Sequence, residues 1–495
     1  MKRTKINIAT ALLLQITTII HGFILPRLIL RYFGSEVNGL VTSIAQFLNY
    51  IQLFEGGIGA VIMASLYKPL AEHNDDQISG IMAAAQKFFK QIALIYAFYA
   101  VGVAFIYPLI VKTSFDYVYV FTLVLFIALS TVIQYLFAVS YRILLNADKR
   151  GYIVSIAQIL FLLLSLVLTI VSLYIYPSIH IIKFASVICY IISPLIFNLY
   201  VKKNYRIDKY SKPDNKSLSQ RWNAFGQNLA FFVHNNTDVV VLTFLSTLSN
   251  VSVYSVYSMI VLALKNLIKS ISDAIAPSMG KILVSNDKEN ISKSFDYYET
   301  GIGILSCIVF TCCGVLIVPF VKIYTSSIND ANYSQPVFAV LLTIAYGLYC
   351  YRDSCGNVIY AAGHIKQTSI YAYIEAGINL IISLVLVKPL GLIGIAIGTL
   401  SAMFFRTIAM SFYSHKYILH RKYSFWILKF AVFVFSSFLT IVCCRYLIII
   451  HSSTITECLI NGIITSIIAT ACNFAVLYFF KRESLVGLVK HFMTR

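Results

Sequence analysis

Several ionisable and amide residues sit inside otherwise apolar runs, at helical spacing. In FGQNLAFFVHNNTDVVVL, Gln227, His234 and Asp238 stand at i, i+7 and i+11, with Asn228 and Asn235 beside them. A polar face of this kind has two uses inside a bilayer. It hydrogen-bonds neighbouring helices, or it lines a cavity in which Asp238 carries a proton or another coupling ion. Lys265, Lys269 and Asp273 form a second stripe at i, i+4 and i+8. As chemistry it is a cationic ladder for a phosphate-bearing substrate, tied off by an acid. As packing it is lysines snorkelling to the inner headgroups.

Other charges invite the same pair of readings. Glu55 in QLFEGGIGAV has Asn49 and Gln52 nearby, while Gly56, Gly57 and Gly59 permit a kink or close helix approach. Arg27 and Arg31 share a face, as cavity cations or as interfacial anchors. Tyr346, Tyr349 and Asp353 form a stripe beside Arg352, with Asn357 one turn on. Arg352 and Asp353 either neutralise groups on adjacent helices or present Arg352 to a cavity. Tyr371, Glu375 and Asn379 repeat the one-face pattern, and Arg406 lies deep enough to need a partner. Arg142 reads as a charge at the membrane interface.

The elements that position these groups are transmembrane helices. The chain has 495 residues, 59% hydrophobic and only 12% charged, and apolar runs long enough to cross a bilayer recur from end to end. About fourteen spans are expected, near 7–32, 38–66, 88–111, 117–144, 152–174, 179–201, 222–246, 250–280, 298–322, 334–361, 367–387, 390–414, 424–447 and 456–480. The stretch KKNYRIDKYSKPDNKSLSQR (202–221) lacks an apolar segment and reads as a basic cytoplasmic hinge.

The net charge of +19 is explained by topology rather than by nucleic acid. With both termini cytoplasmic, inner ends hold roughly 27 Lys and Arg against 7 at the outer ends. The N-terminal apolar run exceeds a signal-peptide core and reads as an uncleaved first span. Most of the ten cysteines lie in apolar runs, where Cys acts as a small hydrophobe, and no metal-ligand spacing stands out.

The halves also resemble each other. ISGIMAAAQKFFKQ and IYPLIV (78–111) match ISKSFDYYETGIG and IVPFVK (291–322), and LLNADKRGYI with SLVL (144–168) matches IYAAGHIKQTSI with SLVL (359–386). The expected fold is therefore an all-α polytopic membrane protein of two six-helix parallel repeats, 1–201 and 222–416, followed by two extra helices and a tail at 417–495. There is no GxxxxGK[ST] loop for ATP, no hydrolytic constellation and no large acidic outer loop for a membrane sugar transferase or polymerase. A transporter that is not an enzyme gains by elimination.

RYFGSEVNGLVTSIAQFLNYIQLFEGGIGAV, NNTDVVVLTFLSTLSNVSVYSVYSMI and AAGHIKQTSIYAYIEAGINLIISLVLVKPLGLIGIAIGTL together resemble bacterial polysaccharide-export proteins. These are the Wzx-type flippases of the multidrug/oligosaccharidyl-lipid/polysaccharide superfamily. The resemblance implies alternating access in the bacterial cytoplasmic membrane. It implies an undecaprenyl-pyrophosphate-linked sugar repeat unit as substrate, for capsule, O-antigen or exopolysaccharide synthesis. Membrane lipids, and a polysaccharide polymerase with its assembly proteins, are the implied partners.

On this resemblance Arg27, Arg31, Lys265, Lys269 and Arg352 contact the headgroup. Glu55, His234, Asn235, Asp238, Asp273 and Glu375 serve proton or sodium coupling or a polar cavity lining, with no other cofactor. A multidrug/cation antiporter and a peptidoglycan-precursor flippase are the rival readings. The first calls for a net acidic cavity, whereas intramembrane charge here leans positive.

Overall fold

The computed structural model describes residues 2–55, 57–208, 211–214, 236–284, 287–447 and 454–493. Eleven of the described helices are long and apolar enough to cross a membrane. The chain divides into two compact units, Met1–Ser252 and Val253–Arg495.

In the first unit, α1 (Lys2–Leu48) covers one expected span and part of the next. Gly34 sits between them at φ 81°, a conformation that costs glycine little and breaks the helical path. The second span is broken again at Gly57, φ 82°, before α2 (Ile58–Ala71) begins. Then follow α3 (Asp75–Ile110), α4 (Tyr117–Phe137), α5 (Val139–Ala147), α6 (Gly151–Ile175), α7 (Ile179–Tyr190) and α8 (Ile192–Asn204). Asn74 caps α3 by accepting from the Gln77 amide, and Asp75 and Asp76 favour its positive end. Buried Ala85, Ala93, Ala100 and Ala104 give α3 a narrow face that lets α4 approach.

Two backbone amides of the hinge region, at Asp208 and Asp214, bond Ser79 Oγ (3.0 Å) and the Gly80 carbonyl (3.1 Å) on α3. Beside them, Arg150 pairs with Asp148 at 2.7 Å and lies over the Tyr205 ring, tying the α5–α6 turn to the end of α8. Burial and the hydrogen bond to Asp148 push the Tyr205 hydroxyl well above the usual phenol range. The unit closes with α9 (Asn236–Leu245) and the first turn of α10 (Leu248–Val284). Asn38 donates to Ser252 Oγ, and the Ser43 and Thr243 hydroxyls meet at 2.7 Å. A side chain at Gly39 would collide with the Leu248 carbonyl, so close approach there demands glycine.

The second unit holds the rest of α10, then α11 (Lys288–Tyr324), α12 (Pro336–Ala361), α13 (Ile365–Leu390), α14 (Leu392–Tyr413), α15 (Ser424–Leu447), α16 (Ile455–Phe480) and α17 (Arg482–Met493). A five-residue π-helical turn, Ser414–Ile418, extends α14. Helices α13 and α14 pack backbone to backbone. A Cβ at Gly394 would run into the Leu386 carbonyl, and one at Gly398 would run into Ser383 Oγ. Gly394→Leu is therefore expected to lower the thermal midpoint in detergent, by a destabilisation of about 3 kcal/mol or more. Gly377→Ala, on the same hairpin with open space around it, should leave the midpoint unchanged. Equal midpoints for the two variants would remove the close-packing account.

The expected fourteen spans map onto these helices with stated differences. Helix α1 runs through the first boundary, α12 stands outside the eleven, and most of 222–246 lies outside the described residues. Large apolar side chains such as Phe98, Leu109, Ile467 and Phe479 remain exposed, as surfaces meeting lipid tails require.

Candidate functional site: a cationic layer within the helix bundle

The second unit carries a layer of charge that runs from buried Lys265, Arg352 and Glu375 out to half-exposed Lys269 and exposed Asp273. Helix α10 contributes Lys265 and Lys269, and α12 contributes Tyr346, Tyr349, Arg352 and Asp353. Lys265 is buried, its ammonium 5.1 Å from the Tyr349 ring centroid and 5.7 Å from that of Tyr346. Cation–π attraction replaces part of its lost hydration, and a lysine so enclosed is not snorkelling. One turn on, Lys269 Nζ sits 3.0 Å from Asp273 and 3.6 Å from Asp353. Asp353 also accepts from Asn357, which donates to Ser272 Oγ and Tyr298.

On the other side of Tyr349 lies Arg352, its guanidinium 4.8 Å over the ring. Arg352 Nη1 donates to Glu375 Oε1 at 2.9 Å, and Arg406 Nη1 donates to Glu375 Oε2. Glu375 has no solvent exposure. One carboxylate held between two guanidiniums recovers the large desolvation cost of all three groups only while every member is present. Asn379, one turn along α13, is equally buried and donates to Thr399 at 3.2 Å.

The stripes expected on α10, α12 and α13 thus meet in three dimensions. Arg352, read as a headgroup cation, and Glu375, read as a coupling acid, form a single ion pair. Arg406 finds in Glu375 the partner its depth required. The layer holds four cations (Lys265, Lys269, Arg352, Arg406) against three carboxylates (Asp273, Asp353, Glu375). It carries one net positive charge and is flanked by Tyr346 and Tyr349.

The remaining expected residues lie in the first unit. Asp238 is 5% exposed on α9, next to buried Thr237. His234 and Asn235 lie outside the described residues, as do Gln227 and Asn228. Arg27 and Arg31 are exposed on α1. Glu55 accepts a hydrogen bond from Tyr135 at 2.9 Å and borders a cavity of about 640 Å³ with Arg142.

The second unit holds another network, which the sequence pattern does not single out. Lys429 of α15, 2% exposed, contacts Asp296 (2.7 Å) and Glu299 (2.8 Å) of α11. Arg421 reaches the same two acids at 3.8 and 3.3 Å. It also donates to His415 Nε2, which leaves His415 Nδ1–H to donate to the Ser411 carbonyl at 2.8 Å. By position along the chain Arg421 groups with the inner-loop cations. Lys429 in SFWILKFAVFVF carries the available signal, as the single charge in an apolar run.

An apolar groove of about 990 Å³ runs between α10, α11 and α16, bordered by Leu264, Leu316, Phe320, Ile463, Ile467 and Phe474. Among the described residues no group of three or more His, Cys, Asp or Glu is arranged to hold a metal.

Comparison with known proteins agrees with this architecture. The chain resembles a solved lipid II flippase, MurJ, in an inward closed conformation, with a TM-score of 0.74 over 95% of this chain and 98% of that one at 16% identity. An inward-facing multidrug resistance MATE family transporter of the MOP superfamily matches at 0.62, covering 80% of this chain and 94% of that one at 14% identity. The MATE multidrug transporter DinF-BH matches at 0.57, covering 84% and 97% at 15% identity. These likenesses establish the fold, an all-α polytopic membrane bundle. No curated protein matches the sequence. A family model described as polysaccharide biosynthesis protein matches residues 5–283, more than half of the chain, and the chain belongs to that family.

Proposed function

We propose that this protein is a flippase for a polyprenyl-pyrophosphate-linked oligosaccharide. It moves the repeat unit from the cytoplasmic to the outer leaflet by alternating access. The observation that carries the reading is the cationic layer: four basic side chains against three acids, on α10, α12, α13 and α14, of which α10, α13 and α14 are long and apolar enough to cross a membrane. A pyrophosphate matches that sign, and the surrounding tyrosines offer rings and hydroxyls to sugars. The apolar groove on α10, α11 and α16 is the place for a hydrocarbon chain. Membership in the polysaccharide biosynthesis family supports an oligosaccharide cargo.

In this reading Lys265 and Lys269 meet the headgroup in the second unit, with Arg352 held at the layer by Glu375, and Arg27 and Arg31 are the headgroup cations of the first unit. Asp238 and Asp273 are the acids for proton or sodium coupling, with His234 and Asn235 beside Asp238, while Glu55 is a polar lining residue of a first-unit cavity. Glu375, engaged by two guanidiniums, serves the layer. The location is the bacterial cytoplasmic membrane with both termini inside, where a polysaccharide polymerase would receive the product.

Ligand-induced stabilisation tests the reading. A short-chain lipid pyrophosphate disaccharide should raise the thermal midpoint of the purified protein, because a ligand that binds only the folded state stabilises it. Lys269→Ala should lose most of that rise, with affinity down roughly tenfold. Stabilisation by organic cations and none by the lipid pyrophosphate would favour the antiporter instead.

A further inference from the structure

Arg142, half-buried on α5, stands apart from the cations of the second unit. Among the described residues it has no carboxylate within ion-pair distance, although Tyr135 and Tyr190 lie within its electrostatic reach. It borders two cavities of the first unit at once. The larger, about 640 Å³, is framed by α1, α2, α5 and α6 and also shows Asn7, Glu55, Asn146, Ser155 and Gln158. The smaller, about 230 Å³, adds Gln134, Thr18 and Tyr190 and shares Arg142 and Gln158 with the first.

A guanidinium without an acid partner inside a helix bundle is expensive, and a chain keeps it where an anion visits. Glu55 faces the same cavity without closing an ion pair to Arg142, and Tyr135 holds it at 2.9 Å. The cavity is therefore lined by one cation, one acid and several amides. A carboxylate repels phosphate but accepts from sugar hydroxyls, while Asn and Gln serve either role. Asn7 is not a free member: it donates to the Lys149 carbonyl (2.9 Å) and accepts from the Tyr152 amide (2.8 Å), fixing the turn beside the cavity. That turn carries Lys149 and Arg150, the end which the charge bias assigns to the cytoplasm.

We propose that this cavity is a binding site for a phosphorylated sugar, with Arg142 on the phosphate and Glu55, Asn146 and Gln158 on the hydroxyls. The proposal rests on the export reading for its place in the transport cycle: it would take the cytoplasmic headgroup first, inside the first unit. The volume suits a ligand of this kind. The same phosphate chemistry could come from a soluble sugar phosphate or from a lipid headgroup.

Equilibrium binding to the full-length protein in detergent, at low ionic strength, decides it. Three probes are used: inorganic pyrophosphate, glucose 1-phosphate, and a farnesyl pyrophosphate N-acetylglucosamine. Arg142→Gln should weaken all bound probes roughly tenfold or more, while Arg142→Lys retains most of the phosphate affinity. Glu55→Gln should weaken the two sugar probes and spare pyrophosphate. Tighter binding of the farnesyl probe than of glucose 1-phosphate names the lipid headgroup as the source; equal binding names the sugar phosphate.

Arg142→Gln with wild-type affinity for every probe, or a wild-type protein that binds none, would overturn the site. Elution profile and thermal midpoint check that each variant is folded, and Arg142→Lys keeps the test open if Arg142→Gln is not. Failure of the export reading looks different: pyrophosphate still binds through Arg142, but no lipid-linked sugar crosses the membrane.

Discussion

Glu375→Gln is expected to be among the most destabilising single substitutions in the second unit. It leaves Arg352 and Arg406 close together inside the bundle and without their shared carboxylate. Breaking a buried ion pair by removing one partner costs about 3–5 kcal/mol, because the residual charge is uncompensated. Here two charges are left. A reversible SDS unfolding titration should show that loss. Adding Arg406→Met to Glu375→Gln should recover part of it, since one of the two stranded cations is then gone. If Glu375→Gln unfolds at the wild-type midpoint, the carboxylate is not the centre of the layer.

Lys429→Met should be the next largest effect, at about 3 kcal/mol. The methionine fills the space of the lysine stem but leaves Glu299, 1% exposed, with Arg421 as its remaining cationic partner. Asp296 would likewise keep Arg421, at 3.8 Å, in place of a lysine at 2.7 Å. The consequence is local: α15 should loosen from α11 before the rest of the unit opens. Hydrogen exchange should rise on α15 and α11 and stay unchanged on α13 and α14. Lys429→Met combined with Glu299→Gln should return stability toward wild type. Protection unchanged on α15 in the single variant would show that apolar packing, not charge, holds that helix.

These two sites differ in how legible they are in the amino-acid sequence. The stripe Tyr371, Glu375, Asn379 is legible because helical periodicity alone puts the three on one face. The need of Arg406 for a partner is legible from its depth. The identity of that partner is not, because it depends on which helices are neighbours and on their relative register. Thus Arg352 and Glu375 stand in separate stripes in the sequence and meet in one contact. The close packing at Gly394 and Gly398 is hinted at by GLIGIAIGTL, yet only the facing Leu386 and Ser383 explain it.

The network around Lys429 is hidden for a different reason. Asp296 and Glu299 lie near the start of a long helix, where acids are ordinarily solvated, and Arg421 lies where inner-loop cations are expected. Burial comes from α15 laying Lys429 across them and from the π-helical turn that brings His415 to Arg421. The cavity at Arg142 is hidden similarly. Charge near a span's end reads as interface, and the cavity beside it forms only where the α1–α2 stretch meets the α5–α6 stretch, some eighty residues on.

Translocation by the reconstituted protein tests the central claim most directly. Proteoliposomes are loaded with a fluorescent lipid pyrophosphate oligosaccharide, and the fraction reached by an impermeant quencher on the far side is followed in time. Wild type should move the lipid faster than empty vesicles. Lys269→Ala should fall to the background rate, and Asp238→Asn should lose any dependence on an imposed proton or sodium gradient. A wild-type protein that leaves the lipid in place but exports an organic cation would contradict the account and make the protein an antiporter.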